Sequence, residues 1–295
     1  MATTQHCGKS ATSNWSSHGL LLVALMVWCI EEDLPNLADW DEKSILGGGA
    51  DGHVRLARTS EGVEVAIKLC SLETDEMVEV FENEAYFSRL CADLDVSLPV
   101  HTVFITPELT GAVVFERASK DLMAWLESTE ERFFSLKETA SLFRQVCQLV
   151  ERMHNSQVAH LDIKPDNILI DKEGHLRLCD FGRAHEWTEA SRRYDGLLNS
   201  VSTKQYTSPE RFFNDDFDVA LADIFSLGVT LHVLLTGYFP WNNLSQKPPY
   251  PFQFCGAATQ GLDSTCLELL MSMLNEDPLL RPTIQQVLAH EWLCQ

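Results

Sequence analysis

His160-Leu161-Asp162-Ile163-Lys164-Pro165-Asp166-Asn167-Ile168-Leu169-Ile170 and, after a turn, Leu178-Cys179-Asp180-Phe181-Gly182 decide the reading of this chain. A carboxylate, an ammonium, a carboxamide and a second carboxylate fall close together, each at the edge of a short apolar run that reads as a strand. A hairpin of this kind suits a metal-bound polyphosphate. Mg²⁺ takes oxygen ligands and is satisfied by one or two protein oxygens plus phosphates and water, which Asn167 and Asp180 would supply from the two strands. Asp162 is then the free carboxylate that receives a hydroxyl proton, and Lys164 the charge aimed at the transferring phosphoryl group. For any one of these residues an ordinary surface turn is the favoured reading; together they point to chemistry.

Upstream of the hairpin the pattern is β-rich, with strands expected over 44–47, 52–59 and 63–70. Between the first two lies Gly47-Gly48-Gly49-Ala50-Asp51-Gly52-His53-Val54, a glycine pattern that by itself also serves tight hairpins. Its companion is Val65-Ala66-Ile67-Lys68. Lysine is rarely buried without a partner, so Lys68 at the end of an apolar strand is expected to face an anion in a cleft. The helical stretch 73–90 offers Glu84 as that partner, with Glu82 as the runner-up. The apolar positions after Glu84 fall at Phe87 and Leu90 and leave Ser88 where another apolar residue belongs.

The 295 residues are enough for one large domain or two lobes around a cleft. With 43 acidic against 22 basic side chains and a formal net charge of -21, the chain lacks the basic face that nucleic-acid binding needs. Basic peptides are the better expectation. Nine cysteines, an odd number without a C-x-x-C pair, suit reduced thiols in a cytoplasmic or nuclear protein and neither a disulfide framework nor a zinc site. Residues 1–18 are polar, and residues 19–30 are continuously apolar. That run is short for a bilayer span, has one lysine before it and Glu31-Glu32-Asp33 after it, and reads as an extra helix, buried or docked on the surface, ahead of a membrane anchor or a non-native extension. Farther on, helices are expected over 136–156, 220–236, 265–274 and 284–293, with Pro240, Pro248, Pro249 and Pro251 marking loops. The two residues after Leu293 leave no regulatory tail to expect.

From residue 45 to 293 these motifs resemble the eukaryotic protein kinase family. The resemblance implies an α+β, bilobal protein-kinase fold, with a small β-rich N-lobe carrying one main helix and a larger helical C-lobe. The domain would span 40–294 (N-lobe about 40–116, C-lobe about 119–294) after an N-terminal extension, 1–39. It implies ATP and Mg²⁺ as cofactors. Gly47, Gly49 and Gly52 would cover the ATP phosphates, with Leu46 beside them. Lys68 would grip the α- and β-phosphates and pair with Glu84. Asp162 and Lys164 would be the catalytic pair, and Asn167 and Asp180 the metal ligands. Glu116 and Ala118 would hydrogen-bond the adenine edge, Phe115 would stand behind it, and Val54, Ala66 and Leu169 would sandwich the ring. Asp121 would cap the next helix, bind a ribose hydroxyl, or do both. Ser208-Pro209-Glu210 stands for the family's Ala-Pro-Glu, Arg281 resembles the arginine that pairs with it, and Asp223 the carboxylate that anchors the catalytic loop.

Lys164 and Thr203 resemble the Ser/Thr-directed branch, so a serine or threonine acceptor on a protein is expected. Asp166, Asp121 and the acidic balance favour Lys or Arg near that acceptor. Leu161 departs from the family, whose usual arginine pairs with a phosphorylated activation loop; leucine cannot. Activity is therefore expected not to need activation-loop phosphate by this route, although Thr188, Ser191, Ser200 and Ser202 remain candidate sites. Asp51 at the loop tip and Ser202 in place of a glycine are smaller departures. A pseudokinase scaffold and a small-molecule phosphotransferase are the competing readings; the first would lack one of Lys68, Asp162 or Asp180, and the second would lack Ser208-Pro209-Glu210 with Arg281.

Overall fold

The computed structural model describes residues 45–49, 52–188, 191–194, 203–213, 216–241 and 261–294. The polar start of the chain, the apolar run 19–30, Asp51, Ser200, Ser202 and the prolines at 248, 249 and 251 lie outside the described residues.

Strands β1 (Ile45–Gly49), β2 (Gly52–Arg58), β3 (Glu64–Ser71), β4 (Val100–Ile105) and β5 (Thr110–Glu116) form one antiparallel sheet in the order β1-β2-β3-β5-β4. Strand alternation sorts their side chains. Val65, Ile67 and Leu69 pair with Glu116, Val114 and Ala112 and pack with Ala57 and Phe104 on one face. Ala66, Lys68 and Cys70 point the other way, on the face that helix α1 (Asp75–Asp93) covers with Phe81 and Ala85. Thr74 starts that helix by accepting the Met77 N–H at 3.2 Å, with Asp75 and Glu76 in the first turn complementing the helix dipole. The helix sits tightly on the sheet, since a Cβ on Gly111 would lie 2.5 Å from the Phe81 ring.

The C-lobe begins with β6 (Lys120–Asp121) and α2 (Leu122–Ser128), followed by α3 (Leu136–Asn155), which opens on a reciprocal capping box between Ser135 and Glu138. Next come β7 (Val158–Ala159), the hairpin β8 (Ile168–Ile170) and β9 (Leu176–Leu178), β10 (His185–Glu186), α4 (Glu210–Phe213), α5 (Val219–Thr236), α6 (Ser264–Met273) and α7 (Ile284–Leu288). Small sheets β6-β8-β9 and β10-β7 carry the cleft side of this lobe. Helix α5 has a mean hydropathy of 1.8 over 18 residues, long and apolar enough to cross a membrane, yet every residue of it is buried in the lobe. It is the core on which the other helices pack. The expected helix 284–293 is broken: α7 ends at Leu288, and His290 restarts the chain as a 3₁₀ turn, its Nδ1 accepting the Trp292 N–H at 3.3 Å. The break lets both Trp292 and Leu293 enter the core.

One ion pair ties the segment before α5 to this core. Arg281 donates to both Glu210 oxygens (2.6 and 2.8 Å) and to the carbonyls of Asn275 and Leu221, and its guanidinium lies 4.9 Å from the Phe225 ring centroid. Glu210→Gln leaves that guanidinium buried without its counter-charge. The expected loss is about 3 kcal/mol, read as a fall in the urea midpoint; an unchanged midpoint would show that the pair contributes nothing.

Candidate active site

Lys68 is the meeting point of the two lobes. Its Nζ lies 2.8 Å from Glu84 Oε2 on α1 and 2.7 Å from Asp180 Oδ1, just past β9. Ser88 donates to the second Glu84 oxygen at 3.1 Å. The serine that interrupts the apolar face of α1 is therefore a partner for the buried glutamate one helical turn before it. Glu82 is also buried, and Glu84 is the residue that reaches the lysine. Burial acts to lower the Lys68 proton affinity, but the carboxylates of Asp180 and Glu84 outweigh it and hold the ammonium well above the ordinary lysine range. Burial likewise acts to raise Asp180, and Lys68, with Lys164 adding less, keeps its carboxyl below the ordinary range.

Asp180 adopts φ 67°, and Gly182 lies against α1, where a Cβ would be 2.7 Å from Val80 Cγ1. Asn83, which the sequence did not single out, donates to the Gly182 carbonyl at 3.2 Å. The segment after β9 is thus fastened to the N-lobe helix by Asn83 as well as by Lys68.

The loop between β7 and β8 is held from beneath. Asp223 on α5, with no solvent exposure, accepts the N–H groups of His160 and Leu161, both at 2.8 Å, and lies 3.0 Å from His154 Nε2. Asp162 Oδ2 accepts from Lys164 Nζ at 2.8 Å and from Asn167 Nδ2 at 3.0 Å. Lys164 also donates to Thr203 Oγ1 at 2.7 Å. The four polar residues that opened the sequence reading converge: Asp162, Lys164 and Asn167 form one cluster, and Asp180 joins Lys68 beside it.

Strand pairing and local contacts place the remaining expected residues. Val54 pairs with Lys68 across the sheet, and Ala66 pairs with Phe115, which puts Val54, Ala66, Lys68 and Phe115 on one face. Leu169 lies opposite Asp121 and Arg177 in the hairpin. Asp121 caps α2 by accepting the Ala124 N–H at 2.6 Å. The Glu116 N–H donates to the Pro99 carbonyl at 3.1 Å, whereas Ala118 has no hydrogen-bond partner on its N–H or carbonyl among the described residues. Gly52, at φ 143°, could carry no side chain, because a Cβ there would lie 2.2 Å from the Leu69 carbonyl oxygen. Gly47 and Gly49 have open space around them, and Leu46 is 45 % exposed beside them. The donor set fits a hard divalent cation: Asn167 spends its N–H₂ on Asp162, which leaves its carbonyl oxygen as an acceptor, and Asp180 commits only Oδ1 to Lys68. No cluster of three His, Cys, Asp or Glu ligands occurs among the described residues, so a metal here would draw the rest of its shell from phosphate and water.

A five-stranded lobe and a helical lobe meeting at a lysine, two carboxylates and a loop aspartate define a phosphoryl-transfer type of site. Residues 40–293 match the family described as "Protein kinase domain", and the chain belongs to that family. It is 30 % identical to CBL-interacting serine/threonine-protein kinase 3 of Arabidopsis thaliana over 84 % of this chain and 56 % of that protein. It is 34 % identical to CBL-interacting protein kinase 21 of Oryza sativa subsp. japonica over 85 % of this chain and 48 % of that one. Ribosomal protein S6 kinase 2 alpha of Xenopus laevis is 29 % identical over 81 % of this chain and 33 % of its own length. The chain therefore spans roughly one third to just over half the length of these curated relatives.

The charge balance at Lys68 sets an acid limit. A carboxyl held below its ordinary range contributes stability that is present above the unfolded value, about 3.9, and is lost as pH falls through the folded value. Thermal melts of the wild-type chain between pH 6 and pH 3 are expected to fall more steeply than those of Asp180→Asn. Parallel curves would mean that Lys68 does not hold Asp180 ionised.

Proposed function

We propose that this chain is an ATP-dependent serine/threonine protein kinase, transferring the γ-phosphoryl group of ATP to hydroxyls of protein substrates. The observation that carries it is the convergence of Lys68, Glu84 and Asp180 beside Asp162, Lys164 and Asn167. Lys68 neutralises phosphate charge and is kept in place by Glu84, itself fixed by Ser88. Asp162 accepts the proton of the acceptor hydroxyl, while Lys164 lies within reach of both that carboxylate and Thr203. Transfer of this kind depends on positioning and charge stabilisation more than on covalent chemistry. Mg²⁺ held by Asn167 and Asp180 would supply charge neutralisation on the phosphates. The names of the relatives support a Ser/Thr acceptor, and the arrangement of intact polar residues supports transfer over a binding-only scaffold. The six described cysteines are all free thiols, in keeping with a cytoplasmic or nuclear setting.

Two features bear on specificity and control. Burial, with Asp121 and Asp162 nearby, raises the Asp166 carboxyl above its ordinary range, so a basic substrate side chain would relieve an unfavourable concentration of negative charge. Leu161 is buried in an apolar cluster with Trp187, Phe217 and Val219, and its side chain offers a phosphate no charge.

Asp162→Asn is expected to lower transfer of labelled phosphate to a Ser/Thr peptide library by about 10²- to 10⁴-fold with ATP binding kept; undiminished transfer would overturn the proposed role. Because burial raises the proton affinity of Asp166, KM for an Arg-flanked peptide should rise as the pH is lowered from neutrality toward the carboxylate range, and Asp166→Asn should flatten that rise. Phosphatase treatment should leave turnover within about twofold, and a large drop would assign the activation segment a phosphate anchor elsewhere.

A further inference from the structure

The catalytic loop turns at Leu161 with φ 62°, a left-handed conformation that a branched side chain adopts only when its surroundings hold it there. Both sides of this turn are bonded. Below, Asp223 accepts the Leu161 N–H. Above, Arg211 Nη1 donates to the Leu161 carbonyl at 2.6 Å. That carbonyl belongs to the peptide plane leading into Asp162, whose N–H donates to His160 Nδ1 at 3.3 Å. Rotation of this one plane would re-aim the Asp162 side chain.

Arg211 is well placed to hold it. It follows Glu210, which Arg281 fixes to the core, and lies on the single turn of α4. Its guanidinium carbon stands 5.6 Å from the centroid of the Phe217 ring, in the same apolar cluster that takes the Leu161 side chain. A charged donor to a carbonyl makes a stronger bond than a neutral one. Residue 161 itself brings no guanidinium to this corner of the loop.

We propose that Arg211 is a positioning residue for Asp162: donating from the end of the activation segment, it clamps the left-handed turn at Leu161 and so fixes the carboxylate that receives the acceptor proton. Resting on the kinase reading above, it adds a residue outside the cleft through which the conformation of the 203–213 segment reaches the chemical step. Loss of the clamp lowers turnover without disturbing Lys68, Glu84 and Asp180, which grip the nucleotide.

The test compares the full-length wild type with Arg211→Met, Arg211→Gln and Arg211→Lys, measuring kcat, KM for ATP, binding of a fluorescent ATP analogue, and amide hydrogen exchange of the peptide covering 160–164. Arg211→Met should cut kcat by about 10- to 100-fold, leave KM for ATP within about twofold, and speed exchange in 160–164. Arg211→Lys should recover part of both. Should Arg211→Met fail to fold, the order wild type, Lys, Gln in kcat and in exchange protection carries the same test. A kcat equal to wild type in every folded variant overturns the clamp, as does a loss of nucleotide binding equal to the loss of kcat. A wild type that transfers no phosphate would overturn the kinase reading, while faster exchange in the variants would still sustain the contact from Arg211 to the loop.

Discussion

An ammonium shared by carboxylates from two lobes is the constraint on which the rest of the molecule depends. Buried charges are costly unless paired and hydrogen-bonded, so Lys68 on β3 is tolerated only because Glu84 and Asp180 both reach it. Each of those carboxylates is in turn fixed: Glu84 by Ser88, Asp180 by the hairpin that ends at β9 and by the packing of Gly182 on α1. Breaking any member leaves an uncompensated charge in the cleft. The polar chain is therefore a specification of geometry more than a source of stability, while the stability comes from the C-lobe core around α5.

The second fixed point is Asp223. A carboxylate without solvent contact, accepting two backbone N–H groups, holds the catalytic loop as a preformed surface. The loop's strained turn, its aspartate and its lysine are thereby built on the most buried helix of the protein. The acting side chains thus sit on a loop whose backbone is bonded to a fully buried helix.

Much of this was legible in the residues. The β-rich pattern located β2 and β3 to within one residue, and a lysine closing an apolar run in β3 marked a charge that must be paired. The order of Lys68, Glu84, Asp162, Asn167 and Asp180 announced the cleft. What the chain did not announce were contacts whose partners are distant in sequence and unremarkable in type. Asn83 reaches Gly182 across 99 positions and Arg211 reaches Leu161 across 50, and neither side chain sits in a pattern that marks it. Ser88 was visible as an anomaly, a polar residue on an apolar face, and the buried Glu84 oxygen explains it. The break after Leu288 escaped notice because 284–293 contains no Gly or Pro. The helix stops there because a straight continuation would not bring Trp292 and Leu293 into the core.

How far the lobes can move follows from where they are joined. The turn after α1 is pinned to the C-lobe by main chain and side chain alike: Leu178 donates its N–H to the Val96 carbonyl at 2.8 Å, and Arg152 and Arg177 donate to the Asp95 carbonyl at 2.8 and 2.9 Å. Asp95 adopts φ 57°, and Arg177 reaches back to Asp171 at the turn of the β8–β9 hairpin. The base of α1 and the hairpin that leads to Asp180 are consequently one piece. Exposed ion pairs of this sort contribute little stability each, but bonds to a carbonyl in a left-handed turn fix a direction. Space for movement over the cleft lies instead in β1, where Gly47 and Gly49 have open surroundings, whereas Gly52 of β2 sits against the Leu69 carbonyl.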